Sequence, residues 1–142
     1  MGKRLIGSVG LAIAGGTPSP YTRTTSFVIA CGAEDEGLTT GTKVTFRIPY
    51  AYTITEVRAS LTTAGTGANL VTLDFEQNTT SILLTKITID ATELTSTTAL
   101  TQPVILTSAL TDDASITCDV DQIDSGGVSA GLKMYLIGYK TL

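Results

Sequence analysis

Apolar residues recur at every second position along much of this chain. In Val71-Thr72-Leu73-Asp74-Phe75-Glu76 the three apolar side chains point one way, and Thr72, Asp74 and Glu76 point the other. Ile116, Cys118 and Val120 oppose Thr117, Asp119 and Asp121 in the same manner, and Val44, Phe46 and Ile48 oppose Lys43, Thr45 and Arg47. A period of two buries one face of a strand and wets the other, which is the signature of antiparallel sheets. The pattern predicts strands over 27–31, 43–48, 53–62, 69–76, 81–84, 86–89, 103–107, 115–123 and 132–139, with 27–31 fully buried. Glu34-Asp35-Glu36-Gly37 reads as an acidic turn and Gln77-Asn78-Thr79-Thr80 as a hairpin turn. Pro49 marks a kink, because proline cannot donate to a central ladder. Residues 90–100 offer the one candidate turn of helix. About eight to ten short strands at even spacing predict an all-β fold, an antiparallel β-sandwich of jelly-roll type over residues 27–142.

Residues 1–26 depart from this pattern. Lys3-Arg4 precedes an apolar, glycine-interrupted run that holds Leu5, Ile6, Val9, Leu11 and Ile13, and Pro18 and Pro20 end it. A basic start, a short apolar core and Ala12-Ile13-Ala14 mimic a secretory signal, but the glycines break the apolar core. The expectation is an extended N-terminal arm that docks on a neighbouring subunit, since such a segment gains order only when something holds it.

The 142 residues suffice for one domain with a sizeable core. Charged residues make up only 15% of them, so the polar strand faces are largely threonine, which suits an exterior that meets other subunits. A net charge of −4 without a basic cluster argues against nucleic acid as a partner. No apolar run reaches membrane-spanning length, so a membrane is not expected either. Cys31 and Cys118 are expected as buried free thiols acting as small hydrophobes.

Candidate chemistry is sparse. The sequence has no histidine, which removes Ser-His-Asp and Cys-His nucleophiles and every histidine-ligated metal site. Asp119 and Asp121 could pair for acid–base work, yet two carboxylates on a strand's wet face are ordinary. The run Asp119 to Gly126 fails the spacing of a calcium loop. Asn78-Thr79-Thr80 matches a glycosylation acceptor, but a turn explains Asn78 more simply. No catalytic, metal or cofactor residues are therefore expected, and the chain is read as a non-enzyme. Tyr50, Tyr52, Tyr135 and Tyr139 are the rings available for subunit contacts or for stacking on a glycan.

The segments Val57-Arg58-Ala59-Ser60-Leu61-Thr62-Thr63-Ala64, Leu70 to Leu83, Leu110 to Thr117, Asp119 to Ile123 and Ala130 to Leu136 together resemble a recurring jelly-roll domain of tailed-bacteriophage virion proteins. The resemblance spans about residues 43–139 and carries no catalytic motif. It implies a structural virion protein assembled in the host cytoplasm: a capsid decoration or cement subunit that bridges copies of the major capsid protein or other virion subunits. A homotrimer suits attachment at symmetric shell positions. The alternative it implies is a tail, fibre or head-spike component that binds host glycans.

Overall fold

A computed structural model describes residues 23–142; the arm residues Leu5, Ile6, Val9, Leu11 and Ile13 lie outside that range. The described chain is all-β. Its strands are β1 (Thr25–Ala30), β2 (Gly41–Arg47), β3 (Tyr52–Ser60), β4 (Val71–Gln77), β5 (Thr80–Ser81), β6 (Leu83–Thr85), β7 (Ile87–Ile89), β8 (Val104–Ile105), β9 (Ala109–Leu110), β10 (Ser115–Gln122) and β11 (Lys133–Lys140). Every pairing is antiparallel. One sheet has the order β1-β11-β3-β9, a second β2-β10-β4-β5 with β7 also on β4, and β6 and β8 form a small third.

Alternation builds both larger sheets. Met134 and Leu136 of β11, Val57 and Ala59 of β3, Leu73 and Phe75 of β4, and Ile116, Cys118 and Val120 of β10 are all buried in one cluster. The two larger sheets therefore share a single core, an arrangement consistent with a β-sandwich. Four aromatic side chains join them along one side. Phe27 of β1 meets Tyr52 of β3 edge-on at 5.0 Å between centroids and Phe46 of β2 at 6.5 Å. Tyr50 adds contacts to Phe27 and Tyr52 at 6.0 and 6.3 Å. The Tyr52 hydroxyl, fully buried, donates to the Thr25 carbonyl at 2.8 Å, which satisfies a polar group that burial would otherwise penalise.

Several expectations shift on contact with the tertiary structure. The segment 27–31 is not a buried strand: β1 is an edge, half-exposed, and Val28 turns outward with 59% of its surface open. A continuous apolar run cannot distinguish a strand covered on both faces from one covered on one. Asp74 lies on the outward parity of β4 as expected, yet it is buried, because Ser81 and Lys86 of the returning chain cover it. Residues 90–100 give only a single 3-10 turn, Ser96–Thr98, capped by the Thr95 hydroxyl accepting from Thr97 N–H at 3.2 Å. Alternation does not mark the two-residue β9, which is too short to show a period.

Two local devices hold the loops. The hairpin turn between β4 and β5 has Asn78 and Thr79 at φ of 50° and 70°, the left-handed pair that a two-residue hairpin of this twist needs. Asp124 is 2% exposed and serves as an internal acceptor between two loops. It takes N–H groups from Thr66 at 3.0 Å, Val128 at 3.2 Å and Ser129 at 3.2 Å, and the Ser129 hydroxyl at 2.5 Å. Burial pushes this carboxyl up, but the Ser129 hydroxyl and the three backbone donors outweigh it and hold it at about 2.

Thr79→Gly should stabilise the domain by about 1 kcal/mol in urea unfolding, because a β-branched residue at positive φ is strained there and glycine is not. Asp124 has a folded pKa below its unfolded value, so its contribution is present above pH 3.8 and is lost as pH falls through about 2. Asp124→Asn should cost roughly 2 kcal/mol at pH 7 and flatten the stability–pH curve below pH 4 in chemical unfolding.

Candidate functional site

The outward face of the first sheet carries a concavity. Register sets its rows: Ser26 lies opposite Ile137, Val28 opposite Tyr135, Tyr135 opposite Arg58, and Lys133 opposite Ser60. Side chains two apart on each strand share this face, so β1, β11 and β3 together present Ser26, Tyr135, Ile137, Arg58 and Ser60. The segment holding Thr95 and Thr97 rises beside β3 and turns the flat face into a groove of about 480 Å³. Two bonds pin that segment: Leu61 N–H to the Leu94 carbonyl at 2.9 Å, and Ala59 N–H to the Ser96 hydroxyl at 2.9 Å.

The lining is hydroxyl-rich. Thr24, Thr25, Ser26, Ser60, Thr95 and Thr97 contribute hydroxyls, and the Tyr135 hydroxyl lies 2.9 Å from Ser60 Oγ. Arg58 sits on the floor with its guanidinium held by Glu56, whose hydrogen bond and charge raise the Arg58 pKa further. Neither a thiol nor a carboxylate lines the groove. Such a surface can donate and accept neutral hydrogen bonds around one aromatic ring. A smaller groove of about 380 Å³ lies between Thr55, Glu56, Gln102 and Val104.

Of the four tyrosines only Tyr50 and Tyr52 meet, in the aromatic cluster at 6.3 Å. Tyr135 lines the groove, and Tyr139 is half-buried further along β11. Tyr50 is half-buried in the aromatic cluster, with Lys140 Nζ 5.2 Å from its ring centroid. Tyr52 is wholly used inside its own domain, so it offers no surface to a subunit or a glycan, in contrast to the expectation from sequence. A position three residues after Pro49 could not reveal this, because the ring's burial depends on where Phe27 of β1 packs.

The carboxylates of β4 and β10 do gather, on the outer face of the second sheet. Asp74 and Asp119 are direct cross-strand partners, with Glu76 and Asp121 beside them. Lys86 answers them with a 2.5 Å bond to Asp121 and a 3.4 Å approach to Asp74, and Thr42 donates to Asp119 at 2.6 Å. Partial burial and then the charges of Asp119 and Asp74 push the Glu76 carboxyl up. Among the described residues no three carboxylate, thiol or imidazole groups converge in a metal-holding arrangement. Cys31, one residue past β1, and Cys118 of β10 are both buried and free. Cys31 donates its thiol to the Ile29 carbonyl at 3.3 Å; the neighbouring Cys118 lowers the pKa of Cys31, while Cys31 and burial raise that of Cys118, and both thiols are closed to water.

Sequence reasoning missed the exposed apolar side chains. Leu84 of β6, Val104 of β8 and Leu106 just beyond it face water on one small ribbon, and Leu100 is 92% exposed. Their local pattern resembles that of core strands, so only tertiary packing separates them from it. No family model, curated protein or solved structure matches this chain.

Proposed function

We propose that this chain is a structural virion subunit of a tailed bacteriophage, a capsid decoration protein built as a jelly roll and bridging neighbouring shell subunits. The strand order supports the jelly-roll reading: β1, β2, β3 and β4 alternate between the two sheets, and the last two long strands return as β10 between β2 and β4 and β11 between β1 and β3. The observation that carries the assembly role is the exterior. Leu84, Val104 and Leu106 stand exposed on one ribbon. Exposed apolar side chains gathered in one place mark a surface that a partner covers. Each bridge would be modest, and repetition around a shell would make the sum large. The apolar residues Leu5, Ile6, Val9, Leu11 and Ile13 would provide the attachment arm.

A second reading, adhesion to host glycans, is favoured by the hydroxyl-lined groove around Tyr135. A neutral polyhydroxyl ligand fits such a lining better than an ionic one does.

The copy number of this chain per major shell subunit, measured by mass in purified particles, is expected to be comparable to that of the shell protein; a few copies per particle would reject decoration. On a glycan array, the second reading expects binding that Tyr135→Ala abolishes while the melting temperature stays within a few degrees; absence of binding by the wild-type chain rejects it.

A further inference from the structure

The two larger sheets have four edges, and three of them are blunted. β9 and β5 are two residues long, and β7, which shares the β4 edge with β5, is three residues long and buried. β2 carries Lys43 and Arg47, and its ladder with β10 skips Lys43, where the register slips. These are the usual means by which an edge strand avoids pairing with another chain. β1 has none of them. Its six residues, Thr-Ser-Phe-Val-Ile-Ala, hold no charge and no proline, and they pair with β11 without a register slip. Among the described residues nothing pairs with its other edge.

We infer that β1 is the self-association edge of this protein, pairing antiparallel with β1 of a second copy across a two-fold axis beside Val28. In an antiparallel ladder directly opposed residues share a face, so a two-fold at Val28 sets Val28 against Val28, Ser26 against Ala30, and Phe27 against Ile29. Apolar side chains then meet on both faces, and two four-stranded sheets become one continuous sheet of eight. Charge favours a second copy as the occupant. The same register brings Arg23, exposed at the entry to β1, to the end where the partner chain runs on into Glu34-Asp35-Glu36, which carry the opposite sign. Self-pairing of β2 about Thr45 would instead oppose Lys43 to Arg47, a like-charge contact. The contact is isologous, so it makes pairs and not the threefold ring that the sequence resemblance implies. It is independent of what the assembly attaches to.

Sedimentation velocity of the full chain over a range of concentrations tests this, with V28K and V28E run alone and mixed in equal amounts. Val28 is outside the core, so both variants should keep the wild-type fold by circular dichroism. The wild-type chain is expected to dimerise, each variant alone to dimerise about ten-fold or more weakly, and the mixture to recover dimer because opposite charges meet at the axis. Amide exchange of wild-type β1 should slow as concentration rises, a readout that needs no variant. A wild-type chain that stays single throughout overturns the inference, and that is the result if residues 1–22 of the same copy cover the edge. An assembly that V28K leaves unmoved, or a mixture no better than either variant alone, overturns it equally.

Discussion

Leu132, Met134 and Leu136 reach the core from β11 or the turn leading into it, and Ile116, Cys118 and Val120 reach it from β10; all six are closed to water. These are the middle strands of the two larger sheets, each flanked on both sides. Apolar faces of this size cannot stay wet, and among the described residues each sheet offers the other a large apolar surface. That mutual burial fixes the register of every neighbour, since a slip by one residue would turn a whole strand's apolar set outward. Where the chain does slip, it does so locally. The ladder between β11 and β3 shifts at Gly138, where a side chain would overlap the Thr53 carbonyl oxygen. Glycine alone allows the two backbones to come that close.

Polar groups caught inside this arrangement are satisfied individually. Asp124 gathers four donors and ties the loop at 63–68 to the loop at 124–129. Asp74 leans on Ser81 and Lys86, and Tyr52 on Thr25. Each bond offsets a desolvation cost more than it adds stability, so losing one partner costs more than the bond is worth on average. The consequence for function is that these buried polar groups are taken up inside the frame. Among the described residues, recognition falls to the outward faces, the edges and the exposed ribbon.

Those outward parts divide by chemistry. One face of the first sheet holds hydroxyls around Tyr135 and Arg58, while the outer face of the second holds carboxylates answered by Lys86. The β6–β8 ribbon is apolar, and β1 offers bare backbone. A hydroxyl groove, an acidic face, an apolar ribbon and an open edge call for four different kinds of contact, which is more easily met by an assembly than by one small ligand.

By itself the sequence determined the strand class, the antiparallel pairing, most long-strand positions and the turn at Asn78-Thr79, because alternation and turn chemistry are local and survive in one dimension. The same local signals could not say that β1 is an edge, that Asp74 is covered, that Tyr52 is internal, or that Leu84 and Leu106 are exposed. Each of those depends on which distant segment lies alongside: β11 on one side of β1 only, Ser81 and Lys86 over Asp74, Phe27 against Tyr52. Thr95 and Thr97 are a further case, since they join Ser26 and Tyr135 only after β1, β11 and β3 have been brought side by side. Periodicity sorts side chains between the two faces of a strand; only packing decides which face meets protein and which meets water.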